Sequence, residues 1–427
     1  MKSIFKFLMV AGLFFSAITM SCTKGDVPAL LVDNLSNKVI IDWNLVALQA
    51  EGGTTYQHPL LSSRINAMVH IAMHDALNAI VHVYDQYAYK SKNLVSANPF
   101  SAAASAAHTV LKNSFPESIS ILDSALSASL SGIPDGVQKD NGIALGIEAG
   151  NAILAFRAGD GAFDNPIVTI PVSTIPGVYN VVPPFNFVFA PHWKTMKLFS
   201  LQRHDQFRPA PPPTLSSLHY TRDFNEVKDI GKINSTSRTA EQSAQAKWWY
   251  EFSEIGWNRV ARAEATVLNP GLFTTARFFA LLNMAMADSY TAGWDAKFHY
   301  NFWRPYTAIR AAATDGNDKT LDDLNWEPAE LTPAIPDYPS THSALGNAAA
   351  AVLNHFFGKH TGFTTTSTTS APAGLTRDFT SFTQAADENA DSRVSAGIHF
   401  RFACNAGQKL GDDVGKWTLN NLLRRRH

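Results

Sequence analysis

Three short segments in the last third of this 427-residue chain carry residue types that together could hold an anion and act on it. The first is Lys297, six residues, then Arg304-Pro305. The second is Pro339-Ser340-Thr341-His342, and the third is Ser392-Arg393, five residues, then His399. Lys297 and Arg304, seven apart, would share one face of a continuous helix and clasp an anion from one wall. Pro305 would bend or break that helix just past Arg304. Pro339 and Ser340 precede a helical pattern that runs to Phe357. A helix start offers unpaired backbone amides and the positive end of the helix dipole, a ready anion site. Ser340 adds a hydroxyl donor, and Arg393 a planar fork suited to the oxygens of an oxoanion. His399 falls on another helical face from Arg393, so the two would approach an anion from different directions. Taken singly, each segment has an ordinary explanation, because helix cations usually face water and a lone histidine usually packs. Taken together they supply three cations, small donors at a helix start and two imidazoles. That set suits a tetrahedral oxoanion with acid–base or ligand chemistry performed on it.

The elements that must position these groups read as helices. Residues 45% hydrophobic, 11% aromatic and only 17% charged can bury a large core in one domain or two. With 35 basic against 36 acidic residues there is no nucleic-acid footprint, so an anion site must come from local clustering. From Trp43 onward apolar residues recur at helical spacing, clearest over Arg64–Val83, then over 100–113, 117–131 and 137–158. Helices are expected again over 221–230, 239–265, 271–296, 300–313, from Ser340 to Phe357, and over 376–396 and 402–424. Between them, prolines from Pro166 to Pro213 forbid long helices. We read 162–220 as an ordered Pro- and aromatic-rich crossover on the surface, reaching the site's rim. The stretch 361–374, rich in Thr and Ser, reads as a flexible loop. The expectation is an all-α large helical bundle, built as one body or as two helical subdomains joined by the crossover. Its parts are 1–22, 23–40, an N-terminal helical region 41–161, the crossover 162–220, and a C-terminal helical region 221–427 carrying the oxoanion site.

Residues 1–22 read as an export signal. Lys2 and Lys6 precede an apolar run, Phe7 to Met20, that is short for a membrane span. Thr19-Met20-Ser21-Cys22 is similar to a bacterial lipoprotein processing site, with Met20 an imperfect member. The expected location is exported, periplasmic or membrane-anchored through Cys22, with 23–40 a polar tether. The other cysteine is Cys404, which leaves no intrachain disulfide once Cys22 is lipidated or removed. Elsewhere His70 and His74 stand i, i+4 beside Asp75, a spacing that can chelate a metal, although core packing is the simpler reading. Asp75 and Asp288 are candidates to orient a site Arg or His. His299, two residues past Lys297, should point away from the cation face.

The three segments resemble the superfamily that joins vanadium-dependent haloperoxidases to type 2 phosphatidic-acid phosphatases and bacterial acid phosphatases. That pattern is Lys, six residues, Arg-Pro; then Pro-Ser-Gly-His; then Ser-Arg, five residues, His. This chain matches the first and third fully and has Thr341 in place of the glycine. An Asp often found four residues past the last His is replaced by Ala403, leaving the support of His399 unassigned. Arg64–Ile80, Gln206–Leu215 and the Trp248–Trp257 segment also look like bacterial haloperoxidase homologues. The resemblance implies a vanadate cofactor with His399 as its protein ligand. Lys297, Arg304, Ser340, the amide of Thr341 and Arg393 would hold its oxygens, and His342 would take a proton from incoming hydrogen peroxide. A halide would then be oxidised to hypohalous acid. In a phosphatase His399 would instead attack phosphorus and His342 would protonate the leaving alcohol. Vanadate mimics phosphate, so the pocket alone leaves both open, and a lipid-anchored oxoanion binder is a third reading that two intact imidazoles argue against. The long N-terminal helical half favours the peroxidase. So does Trp294, three residues before Lys297, which matches a halide-pocket tryptophan. Ile335 makes the pocket aliphatic where such enzymes tend to carry Phe or His, and bromide or iodide is the favoured halide.

Overall fold

A computed structural model describes residues 34–52, 58–91 and 95–426. The signal and the first part of the tether lie outside the described residues. The described chain is helical, with two small hairpin-like sheets. In the N-terminal half α1 (Lys38–Ala50), α3 (Pro99–Ser114) and α5 (Val137–Phe156) pack on α2 (Pro59–Ile80), and α4 (Ile119–Ser131) packs on α3 and α1. The C-terminal half follows with α6 (Leu218–Ile230), α7 (Ala240–Trp248), α8 (Ser253–Leu268), α9 (Leu272–Tyr300) and α10 (Pro305–Arg310). It closes with α11 (Thr341–Phe357), α12 (Phe382–Ser395) and α13 (Arg401–Asn421). Helix starts carry their chemistry in the sequence. Asn98 accepts from the amides of Phe100 and Ser101 ahead of Pro99, and Thr239 forms a reciprocal capping box with Gln242.

Helices α2 and α9 are buried almost all round and pack on one another. A helix apolar on every side belongs in the middle of a large core. One contiguous core accordingly runs from Ile40 through α2 and α9 to Leu423, so the two halves share an interior. The crossover lies over it as an ordered strap with a short antiparallel pair, β1 (Ile167–Val168) and β2 (Val188–Phe189), in the register Ile167 to Phe189. Tyr179, Trp193 and Phe199 anchor it in the interior.

Asp288 of α9 fastens the strap. Its carboxylate accepts from the amides of Phe199, Ser200 and Leu201 at 2.8, 2.6 and 2.8 Å. Asp75 of α2 does the same for Tyr87, Ala88 and Tyr89 at 2.7, 2.7 and 2.8 Å. Neither carboxylate orients a site Arg or His, contrary to expectation, because three backbone donors saturate each of them. His70 and His74 do not chelate together either. His70 Nε2 meets the Asn44 amide at 2.8 Å, and His74 Nε2 meets the Asp85 carbonyl at 3.0 Å.

Three expectations about elements need correction, and each bears on the site. Residues 239–265 are two helices, broken at Trp249–Phe252. Residues 361–374 begin with a strand, since β3 (Phe363–Thr366) pairs with β4 (Thr376–Phe379) in the register Phe363 to Phe379. Threonine runs suit a pleated half-buried surface as well as a loop, and neighbouring packing decided between them. Lys297 and Arg304 do not share a helix. Helix α9 stops at Asn301 with φ 45°, and Arg304 precedes α10 in extended backbone.

Helix α13 locks α11 in place by close approach. A Cβ on Gly411 would lie 1.9 Å from the Ala344 carbonyl oxygen, and one on Gly407 would lie 2.1 Å from that of Ser340. Only glycine allows the two backbones to sit this close, and the second contact sets the N-terminus of α11.

The core also holds ionisable groups that tie stability to pH. Burial raises the Glu254 carboxyl to about 8 and that of Glu51 to about 7. In an unfolded chain such groups titrate near about 4.3. The folded state therefore binds more protons than the unfolded state between those limits, and stability falls as pH rises through them. These two carboxyls should pull the melting temperature down from about pH 5 to about pH 8, against the buried histidines, whose depressed titration acts the other way below about pH 6.5. Glu254→Gln, which keeps an acceptor for the Tyr290 hydroxyl but cannot ionise, should show a shallower decline. An unchanged slope in that variant would place the titration elsewhere.

Candidate functional site

The three sequence segments converge. Lys297 comes from the last turn of α9, Arg304 from the link to α10, Ser340 and Thr341 from the start of α11, Arg393 from the last turn of α12, and His399 from the loop beyond. Gly397, at φ 77°, turns the chain out of α12 and lies against the Gly231 backbone, which returns His399 toward Arg304. Lys297, Arg304 and Ser340 are fully buried, and Arg393 and His399 nearly so. His342 keeps partial exposure.

Backbone carbonyls aim the cations. Lys297 Nζ donates to the carbonyls of Pro336 and Asp337 at 2.7 and 2.8 Å. Arg304 donates from Nε to Ile335 at 2.8 Å and from Nη1 to Ile398 at 2.7 Å. Arg393 donates from Nε to Ser392 Oγ and lies over the Tyr250 ring, 5.9 Å from its centroid. Nη2 of Arg304 and Nη2 of Arg393 are buried without a partner. Ser340 Oγ accepts from the Ser343 amide and hydroxyl, which leaves its own proton to donate.

Asp337, which sequence reasoning missed, is the carboxylate of this cluster. Its Oδ1 lies 2.8 Å from His399 Nδ1 and 3.7 Å from Arg304 Nη1. Arg304 Nη1 also lies 3.1 Å from His399 Nε2, and a guanidinium can only donate. Arg304 Nη1 lies 3.4 Å from Nδ1 as well, so the guanidinium stands over both ring nitrogens, and it is the nearness of the Asp337 carboxylate that favours a proton on Nδ1 and the lone pair on Nε2. The support that Ala403 cannot give His399 thus comes from Asp337, a carboxylate two residues ahead of Pro339. Its position beside the motif was the available signal. Ala403 serves otherwise, its carbonyl accepting from the Ser340 amide at 2.9 Å.

The second imidazole is oriented by the break between α7 and α8. His342 Nε2 lies 3.0 Å from the Glu251 carbonyl oxygen, which can only accept, so Nε2 carries the proton and Nδ1 the lone pair. In an unbroken helix that carbonyl would belong to the helix ladder. The Glu251 carboxylate is held in turn by Arg259 at 2.7 Å and by the amide and hydroxyl of Thr368, next to the β3–β4 hairpin.

Charge in the cluster is unbalanced in one direction. Burial and the Arg304 charge hold Lys297 well below the usual lysine range. Burial pulls Arg393 down to about 10, and burial with the Arg393 charge pulls His342 down to about 3. Burial, then the charges of Arg304 and Lys297, hold His399 well below its ordinary value. Burial pushes Asp337 up to about 7 against the pull of the same two cations. The three buried cations outnumber the one buried carboxylate beside them, and an anion of several oxygens would relieve their repulsion and occupy the two free guanidinium nitrogens. The residues present fit a tetrahedral oxoanion.

The two halide-pocket candidates are both buried. Trp294 stands edge-on to Tyr290, centroids 5.7 Å apart, with its indole nitrogen unpartnered. Ile335 turns its side chain to the core and serves the site through its carbonyl. His299 is exposed, as its position past Lys297 implied.

A helical bundle that buries three cations and two oriented imidazoles around one oxoanion-sized locus defines a class of enzyme fold, and known proteins share it. Residues 277–426 match the family model for the VCPO second helical-bundle domain. The chain is 25% identical over 417 residues to the vanadium chloroperoxidase of Curvularia inaequalis, covering 77% of this chain and 67% of that protein. It superposes on the crystal structure of the first bacterial vanadium-dependent iodoperoxidase with a TM-score of 0.78 at 27% identity, covering 92% and 98% of the two chains. A holo-type bacterial vanadium-dependent chloroperoxidase has the same fold, with a TM-score of 0.68 at 18% identity over 86% and 93%. Over most of its length the chain is thus similar to vanadium-dependent haloperoxidases, which are oxidoreductases, and its last third matches their second helical-bundle domain.

Asp337 offers a direct test. Outer partners of a ligating histidine are worth about 10- to 100-fold in affinity for the bound group. Asp337→Ala should weaken orthovanadate binding by about that factor in calorimetric titration. Asp337→Asn removes the negative charge but keeps an acceptor for Nδ1, and should retain most of the affinity. Equal binding by Asp337→Ala and the wild type would exclude the positioning role.

Proposed function

We propose that this protein is a vanadate-dependent haloperoxidase that oxidises iodide or bromide with hydrogen peroxide to the hypohalous acid. In balance, halide, hydrogen peroxide and a proton give hypohalous acid and water, with two electrons leaving the halide as the O–O bond breaks. The observation that carries this over phosphate hydrolysis is the similarity to a vanadium iodoperoxidase along nearly the whole of both chains.

The residues divide the work. His399 Nε2, freed by the Nδ1 contact to Asp337, is the atom that would hold vanadate. Lys297, Arg304, Arg393, the Ser340 hydroxyl and the Thr341 amide would hold its oxygens. When bound, vanadate supplies a Lewis-acid centre that activates hydrogen peroxide without changing oxidation state. Lys297 and Arg304 are fixed by backbone carbonyls, and Arg393 by Ser392 and the Tyr250 ring, before any ligand arrives, so little reorganisation accompanies charge development. His342 takes the peroxide proton at Nδ1. Burial and then the Arg393 charge suppress its basicity, and a bound anion offsets the second of these. Partial exposure of His342 leaves the approach that peroxide needs, while burial of the other groups excludes bulk water. Iodide demands the least polarisation of the peroxide oxygen, and Ile335 adds no polar group to the pocket.

The test is halide oxidation by purified protein stripped of metal and reloaded with orthovanadate. Vanadate-dependent oxidation of iodide or bromide is expected. His399→Ala should lose vanadate binding, whereas His342→Ala should keep the anion and lose about 10²- to 10⁴-fold in turnover, the usual worth of a positioned base. Hydrolysis of a phosphate monoester that vanadate inhibits, without halide oxidation, would assign the pocket to a phosphatase.

We also propose that the chain is exported and anchored through Cys22. Mass analysis of the mature amino terminus should find a lipidated Cys22, and an unmodified start elsewhere would remove the anchor.

A further inference from the structure

Thr341 differs from the glycine of the resembled pattern, and its side chain has a counterpart on α9. A Cβ built on Gly293 would lie 2.5 Å from Thr341 Cγ2 and 3.8 Å from its Cβ. The threonine methyl therefore fills the notch that Gly293 leaves. Gly293 stands one helical turn before Lys297, so this notch lies on the part of α9 that serves the oxoanion site. A β-branched side chain has few χ1 choices, and seating the methyl selects among them. Once the methyl is seated, the hydroxyl direction is fixed.

That hydroxyl has no hydrogen-bond partner among the described residues, although Thr341 is only 5% exposed. The oxygen is not among the unpartnered polar atoms sealed from solvent, so the residue's small exposure leaves it open to a small ligand. Thr341 follows the Ser340 cap directly and opens the first turn of α11, where unpaired amides already favour an anion. We propose that the Thr341 hydroxyl is a further donor to the bound oxoanion, held in its orientation by the Gly293 notch. The pair exchanges a featureless glycine at the helix start for an oriented hydroxyl, and a glycine on α9 makes room for it. This inference rests on the oxoanion-binding reading of the site but not on which reaction follows.

The test measures binding, so that it stands apart from turnover. Wild-type protein and variants are titrated calorimetrically with inorganic phosphate and, separately, with orthovanadate. Thr341→Val keeps the shape in the notch and removes the donor, and should weaken both anions by about tenfold, as loss of a hydrogen bond to a charged group does. Thr341→Ser keeps the donor without the methyl and should lose less. Gly293→Ala forces the methyl out, and should weaken binding when residue 341 is Thr but not in the Thr341→Gly background. That non-additivity is the signature of a shared contact. Wild-type affinity in Thr341→Val would overturn the donor role, and an equal loss from Gly293→Ala in both backgrounds would overturn the notch. If these binding results hold while halide oxidation is absent, the peroxidase reading fails and this inference stands.

Discussion

The rest of the site depends on burying three cations around one carboxylate. Lys297, Arg304 and Arg393 are removed from water, with Asp337 offsetting the first two and Glu330 acting on the third. Such an arrangement persists only if the surroundings over-determine it, and here they do. Carbonyls of Ile335, Pro336, Asp337 and Ile398 take the donors of Lys297 and Arg304. Those carbonyls belong to two irregular loops, 331–340 and 396–400, which is why neither stretch is helical. The excess positive charge is what suits the pocket to an anion, and the loops are what keep that charge in place.

The scaffold reads as a set of clamps on those loops. Helix α9 enters from the core bearing Lys297 and ends at Asn301, which frees Arg304 to swing to the other side of the anion. Glycines of α13 bring its backbone against α11, so the helix that presents Ser340 and Thr341 cannot drift. The break between α7 and α8 turns one backbone carbonyl, that of Glu251, into the partner of His342. Carboxylates far from the pocket perform the same task with backbone donors, Asp288 for the crossover and Asp75 for the loop after α2. Each clamp takes groups that a helix or water would otherwise satisfy and spends them on position.

The two imidazoles are set differently by this scheme. The Glu251 carbonyl facing Nε2 leaves the His342 lone pair on Nδ1, and the Asp337 carboxylate beside Nδ1 favours the lone pair of His399 on Nε2. Two residues of the same type are thereby suited to different roles. The difference lies in the neighbours, Asp337 with Arg304 for His399 and Glu251 for His342.

Much of this was legible in the sequence. Helical periodicity gave the all-α class, and proline density marked the crossover. The order and spacing of Lys297, Arg304, Ser340, Thr341, His342, Arg393 and His399 marked the residues that the fold brings together. These features depend on residue type and local repeat, which a sequence displays directly. Tertiary structure alone decided the rest. Asp337 supports His399 across sixty residues of chain, Glu251 reaches His342 only because a helix breaks, and Thr341 finds its room on a glycine of α9. The helix expected to carry both Lys297 and Arg304 ended between them, and the Thr-rich loop became part of a hairpin. Contacts of that kind are set by which backbones pack together and how closely, and no local spacing encodes them.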